Sequence, residues 1–341
     1  MSIATIPIID LNYLKTGDYS QVLALAKQLH QHFSDVGFVY ITNHGISGEL
    51  VDELEGASRK FFALQHQEKM QISMTHAAQA WRGYFPVGAE LTAGKVDQKE
   101  GLYFGTQDHE SHLGVQQKWP MHGKNLYPAQ RGFETYGTLI ENYVESMSLL
   151  GHALMELVAL GLGLERDYFR RRFLSEPTRL FRVFHYPAHQ QASEQWGVGE
   201  HTDMGFLTIL YQDHIGGLEV QGANGQWLNV PPLEGTFVIN IGDMLQYWTH
   251  GIYKATLHRV RNVSAQGRIS MPFFFDPGWQ AELHPIEPQL LRGVDLAQAK
   301  LEPQTRQWDG LDWQALHPGL TYGEFVWNKI KDVFPDLAKG C

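Results

Sequence analysis

Two histidines and a carboxylate stand at spacings that suit a single metal ion. His201 and Asp203 lie in the run His201-Thr-Asp203, and His258 follows 55 residues after Asp203, in Thr256-Leu-His-Arg-Val260. In an extended segment residues i and i+2 point the same way, so His201 and Asp203 reach one point, and His258 closes the triangle from a later strand. Two imidazoles and one carboxylate hold ferrous iron on one face and leave the opposite face open for O2 and a further ligand. The same donors also suit zinc and hydrolysis, or a metal-holding sensor without turnover. Ten residues after His258 comes Arg268-Ile-Ser270. Its i, i+2 relation aims a guanidinium and a hydroxyl into one lumen. A guanidinium forks onto a carboxylate through two parallel hydrogen bonds, and a hydroxyl adds a third. That pair suits the far carboxylate of a 2-oxo dicarboxylic acid whose oxo-acid end chelates the metal. An H-x-D or an R-x-S alone is commonplace; their ordered combination in one β-rich stretch is not.

The elements around these residues read as helices first, a β-core next and a closing helix last. Ile6–Asp10 and Gly37–Thr42 have strand character. Tyr19–Val36 carries Val22, Leu23, Ala26, Leu29 and Phe33 at helical spacing, and Gly37 ends it. Gly48–Leu64 is also helical in pattern. Residues 76–128, rich in glycine, proline and aromatics, read as one long ordered loop that covers something. Trp81, Tyr84, Phe85, Tyr103 and Phe104 would form a satellite core beneath it or a wall over the site. Ala129–Leu164 reads as a long helix. From Leu180 the pattern changes to period two, with short strands at 180–186, 206–212, 217–221, 237–241, 255–260 and 268–275. The expectation is a mainly β protein with flanking helices and a double-stranded β-helix (jelly roll) core. It divides into a mixed α/β region over 1–128 and a unit over 129–341, with the catalytic core at about 178–285. A helix over 319–338 (Phe325, Trp327, Ile330, Phe334) closes the chain by packing.

Composition narrows the function. Among 341 residues, 27 Lys and Arg stand against 37 Asp and Glu, a net charge of −10 with no basic run. Nucleic acid and anionic membrane are therefore not expected as partners. Cys341 is the one cysteine, which excludes internal disulfides and thiolate metal sites and fits a reducing, cytoplasmic setting. Any metal must be held by carboxylates and some of the 17 histidines. The N-terminus lacks a signal-peptide pattern. Leu149–Leu164, the longest apolar stretch, contains His152 and Glu156 and is too short to span a bilayer.

The ordered motifs resemble the isopenicillin-N-synthase-like family of iron(II)- and 2-oxoglutarate-dependent oxygenases over nearly the whole chain. Ile6–Leu11 and Gly37–Ile46 are similar to its N-terminal region. His201–Gly205, Asn240-Ile-Gly-Asp243, His258–Val260, Arg268–Ser270 and Pro272–Pro277 match its core in order. The resemblance implies His201, Asp203 and His258 as iron ligands, and Arg268, Ser270 and Tyr186 as partners of 2-oxoglutarate. It implies Fe(II), 2-oxoglutarate and O2 as requirements, with ascorbate as a candidate reductant. The implied reaction oxidises a small molecule and releases succinate and CO2; an oxidase of the same fold that does not use 2-oxoglutarate is the alternative. No protein partner is implied. Many plant members have Asn where this chain has Phe184.

Gly88–Asp97 is similar to a stretch of the ethylene-forming branch, which also binds arginine. By that resemblance Glu90, Thr92, Arg182 and Phe274 line a substrate site for an amino-acid-like or other small polar molecule. Glu90 would pair with a cationic group, Arg182 with a carboxylate, and Phe274 would pack on an alkyl stem. The structural alternative puts Glu90 on a solvated loop and Arg182 in a salt bridge. The chain departs from that branch at Met204, where it has an aromatic, and at Ser270, where it has Ala, so ethylene formation is not expected.

Overall fold

The computed structural model describes residues 5–92, 94–188, 196–261, 264–291 and 319–333. Phe334 and Cys341 lie outside them.

Two sheets face each other as a jelly roll. The larger has eight strands in the order Ile8–Asp10, Phe38–Thr42, Phe237–Ile241, Leu207–Gln212, Arg268–Asp276, Thr178–Tyr186, Glu100–Gly105 and Gly83–Phe85. The smaller has four: Trp227–Val230, Leu218–Gln221, His258–Val260 and Val198–His201. Period-two alternation decides what each strand offers the space between them. Along Arg268–Asp276, Arg268, Ser270, Pro272, Phe274 and Asp276 line an internal cavity. The intervening Ile269, Met271, Phe273 and Phe275 are fully buried in the core on the other face. Thr178–Tyr186 alternates likewise, with Leu180, Arg182, Phe184 and Tyr186 on the cavity side. The two strands pair antiparallel, Arg268 opposite Tyr186 and Ser270 opposite Phe184. The ladder breaks at Met271 and Pro272, where proline has no N–H to donate.

Helices cover the outer face of the large sheet. Asp18 caps Tyr19–Asp35 by accepting the Ser20 N–H, and Val22, Leu25, Ala26, Leu29 and Phe33 form its buried stripe. Gly37 follows with φ 70°, and any Cβ there would collide with the Lys254 carbonyl, so the turn into Phe38–Thr42 requires glycine. Tyr136–Gly161 packs against this helix and the sheet. At 26 residues it is long and apolar enough to cross a membrane by length and composition, but 56% of its most apolar window is buried. It starts seven residues after the expected Ala129.

The long loop expected over 76–128 is not one. Gly83–Phe85 and Glu100–Gly105 extend the large sheet, and Leu91–Thr92 pairs with Lys95–Val96 as a short hairpin. Of the glycines and prolines that suggested a loop, Gly83, Gly101 and Gly105 belong to the strands themselves, and Pro86, Gly88 and Gly94 lie between them. The aromatics Trp81, Tyr84, Phe85, Tyr103 and Phe104 belong to the main core, each at most 3% exposed. In the β-core two further strands escaped the sequence reading, Val198–His201 and Trp227–Val230, and the expected strand over 255–260 contracts to His258–Val260. The closing helix runs Tyr322–Val333 in the described residues.

Candidate active site

His201 and His258 are cross-strand partners in the small sheet. Their rings lie 4.2 Å apart between centroids. Asp203 stands in the loop that leaves the strand, with Oδ1 3.9 Å from His201 Nε2 and 3.7 Å from His258 Nε2. The three donor atoms fall within 4.8 Å of one another and could hold one metal ion.

Each donor is fixed by a second contact. His201 Nδ1 lies 2.8 Å from the Gly199 carbonyl and His258 Nδ1 3.1 Å from that of Thr256. A carbonyl only accepts, so both Nδ1 atoms carry the proton and both Nε2 lone pairs face the shared point. Asp203 Oδ2 accepts from Asn240 Nδ2 at 2.7 Å and from the Thr208 hydroxyl, leaving Oδ1 toward the histidines. The Asp243 N–H reaches the Asp203 carbonyl at 2.7 Å, and the Thr202 hydroxyl donates to Asp243 at 2.9 Å. The Asn240-Ile-Gly-Asp243 motif thus clamps the H-x-D loop at both ends. Burial, then the neighbouring His258, takes His201 down to about 3. Burial raises the Asp203 carboxyl, but the two imidazoles and the hydrogen bonds from Asn240 and Thr208 prevail and hold it below its ordinary range. Neutral imidazole and ionised carboxylate are the forms a metal needs. Replacing Asn240 by Ala is expected to weaken Fe(II) binding about 10- to 100-fold, measured by anaerobic metal titration. An unchanged affinity would show that the Asn240 bond does not orient the carboxylate.

Across the lumen, Arg268 is fully buried in the large sheet, with its guanidinium 4.7 Å from the Tyr186 ring centroid. Nε, Nη1 and Nη2 all lack a hydrogen-bond partner among the described residues. A buried cation with three unsatisfied nitrogens is costly unless an anion completes it. Ser270, also buried, lies on the same face.

A family model of the 2OG-Fe(II) oxygenase superfamily matches residues 177–277. The model described as non-haem dioxygenase in morphine synthesis N-terminal matches residues 6–130. The chain belongs to the 2OG-Fe(II) oxygenase superfamily. A Dictyostelium discoideum protein described as a probable iron/ascorbate oxidoreductase is 41% identical, over 99% of this chain and 97% of its own. A homoarginine-6-hydroxylase of Oryza sativa subsp. japonica is 37% identical, over 83% of this chain and 88% of its own. The solved structure of a full-length Neurospora crassa protein in complex with alpha-KG and thymine superimposes with TM-score 0.77 at 26% identity, covering 98% of this chain and 97% of that one. This oxygenase is therefore a 2-oxoglutarate- and Fe(II)-dependent dioxygenase acting on a small molecule. The residues present fit both groups: two nitrogens and an oxygen for iron, and an anion-seeking Arg268 for the dicarboxylate.

All ten residues singled out in the sequence line one cavity of about 210 Å³ in the oxygenase. Glu90 is not on a solvated loop; it is 4% exposed. Its carboxylate accepts the Tyr103 hydroxyl at 2.9 Å, meets Lys99 Nζ at 2.8 Å and lies 3.5 Å from Arg182 Nη1. Burial pushes Glu90 up, but Lys99 and Arg182 outweigh it, so the net direction is down and the group is ionised. Arg182 stacks over Tyr103 at 4.4 Å and Phe274 at 4.8 Å, and its Nε has no partner among the described residues. The Thr92 hydroxyl is spent on Asp97 at 2.8 Å. Sequence reasoning missed Lys99, the buried ammonium between Glu90 and Asp97. Its signal was a lysine set among three acidic residues, Glu90, Asp97 and Glu100, just before a wholly buried strand.

Asp276 closes the cavity at the end of its strand. It accepts the Phe206 N–H and the Tyr322 hydroxyl, each at 2.7 Å, tying the H-x-D loop to the closing helix. A side chain on Gly205 would collide with this carboxylate, which explains glycine there. Burial pushes Asp276 up to about 7.

Proposed function

We propose that this oxygenase oxidises a small amino-acid-like molecule, with iron held by His201, Asp203 and His258. The observation that carries the cosubstrate assignment is the orphaned guanidinium of Arg268 in the same lumen as the three donors. Arg268 anchors the far carboxylate of 2-oxoglutarate, Ser270 adds a hydroxyl, and the Tyr186 ring packs against the guanidinium. When bound, iron with 2-oxoglutarate and O2 supplies the oxidising power, converting the keto acid to succinate and CO2 as a substrate C–H bond is oxidised. The chain's own part is position and dryness. The outer bonds of His201, His258 and Asp203 fix three donors on one side. Apolar lining, including Phe38, Leu210 and Val260, restricts water in the lumen.

The opposite wall sets the substrate class. Glu90, ionised and buried, attracts an ammonium or guanidinium, and Arg182, with its unpartnered Nε, attracts a carboxylate. Phe274, stacked against Arg182 at 4.8 Å, offers an apolar surface beside them. The homoarginine-6-hydroxylase name of one relative supports the same class.

The test is succinate release with Fe(II), 2-oxoglutarate and ascorbate across a panel of amino acids, purines and pyrimidines. Basic amino acids are expected to raise succinate release at least about 10-fold over the substrate-free rate, the worth of one charge-assisted contact. Glu90→Gln should raise their KM about 10- to 100-fold, the size of one buried charge-assisted contact, while substrate-free turnover is retained. Stimulation by a nucleobase with no response to amino acids would overturn the substrate class.

A further inference from the structure

A second cavity, of about 340 Å³, lies behind the catalytic one. It is bounded by the segments 106–122, 172–179 and 278–281, and shares Met121 and Thr178 with the catalytic lumen. On its wall is Arg82, 2% exposed. Arg82 Nη2 donates to the Met121 carbonyl at 2.7 Å, while Nε and Nη1 meet no acceptor among the described residues. This is the signature Arg268 shows in the catalytic lumen: a buried guanidinium with free donors beside a cavity. Asp108 is near enough to be felt by Arg82, but its Oδ2 takes the Gly123 N–H at 2.9 Å. Arg179, on the same wall, is engaged, its Nε donating to Thr106 at 3.0 Å. Across the wall three arginines stand against two acidic groups, Asp108 and Glu176. Trp119 and Trp279 supply flat apolar surface. Met121 adopts φ 65°, a left-handed conformation rare outside glycine.

We propose that this cavity is a binding site for a small organic acid, its carboxylate on Arg82 and its apolar body against Trp119 and Trp279. Burial of a guanidinium without a partner costs stability, and a carboxylate oxygen there gives Nη1 the charge-assisted hydrogen bond it lacks. Because Met121 forms a wall of both cavities, an occupant here also sets the packing of one side of the catalytic lumen.

Benzoate is the probe, and benzamide its uncharged counterpart. Each is titrated calorimetrically into the full chain under anaerobic conditions, alone and with saturating Fe(II) and 2-oxoglutarate, so the two cavities are read separately. One equivalent of benzoate is expected to bind whether or not 2-oxoglutarate is present, with benzamide at least about 10-fold weaker, the worth of a charge-assisted hydrogen bond. Arg82→Gln should weaken benzoate at least about 10-fold and leave 2-oxoglutarate affinity unchanged. Leu113→Trp, at the rim where Leu113 is 52% exposed, should block the site without disturbing the core; it decides the matter should the buried substitution unfold the chain. Benzoate displaced by 2-oxoglutarate, benzamide binding equally well, binding indifferent to both variants, or no saturation at millimolar benzoate would each overturn the proposal. The last outcome would mean that water alone satisfies Arg82.

Discussion

Arg268→Met is expected to abolish most 2-oxoglutarate binding while making the ligand-free oxygenase more stable. The two effects have one cause. Arg268 is fully buried and its three nitrogens have no partner among the described residues. Removing the charged member of a buried contact costs about 2–5 kcal/mol of affinity, or roughly 30- to 3,000-fold. Yet without 2-oxoglutarate the same guanidinium is an uncompensated buried charge. An apolar side chain of similar length removes that penalty, and exchange of buried ionic groups for packed apolar ones has gained about 1–4 kcal/mol. Thermal unfolding with and without 2-oxoglutarate checks both. The wild-type midpoint rises with the cosubstrate, as any ligand of the native state requires; the variant starts higher and needs far more cosubstrate to respond. A variant that responds to 2-oxoglutarate at wild-type concentrations would move the carboxylate site elsewhere.

Asp203→Asn is expected to remove the metal and leave the fold. Asp203 uses its two oxygens differently: Oδ2 receives Asn240 and Thr208, and Oδ1 faces the histidines. Asn keeps an oxygen for the two outer donors, so no buried polar group is orphaned, and turns an N–H toward the metal. An N–H has no lone pair to give. Loss of an outer partner costs about 10- to 100-fold in metal affinity, so loss of the ligand itself should exceed that, with turnover falling at least about 10³-fold. Asp203→Ala is the harsher variant, since it also strands Asn240 and Thr208 at about 1–3 kcal/mol. Metal content after anaerobic reconstitution, beside the unfolding midpoint, separates loss of metal from loss of fold. Iron retained by Asp203→Asn at wild-type affinity would contradict the assignment.

What was legible in the sequence followed from strand periodicity. Arg268 and Ser270 share a face because a strand repeats every two residues, and the same rule carries Phe274 and Asp276 into the lumen. His201 and Asp203 were readable as a pair, although Asp203 stands in the loop beyond the strand. Their meeting with His258 was readable only as an ordered motif; that the two histidines are cross-strand neighbours belongs to sheet pairing. The strand Val198–His201 was hidden because Gly197 and Gly199 flank a single valine, a weak strand signal. Gly83–Phe85 and Glu100–Gly105 were hidden by the turns between them. Glu90 was readable by resemblance as a site residue, with a solvated loop as the alternative; its burial against Arg182 and Tyr103 arises only through folding. Arg82 gave no sign at all, since an arginine beside aromatics reads as surface until its burial is seen.

Iron and 2-oxoglutarate are held to meet in one lumen, between the three donors on the small-sheet side and Arg268 of the large sheet. Adding 2-oxoglutarate to the anaerobic Fe(II) protein and recording the visible spectrum tests this most directly. A weak metal-to-ligand charge-transfer band is expected, saturating at one equivalent of iron. It should be absent in Asp203→Asn and need far more 2-oxoglutarate in Arg268→Met. No band in the wild-type protein, or an undiminished band in Asp203→Asn, would contradict the shared lumen.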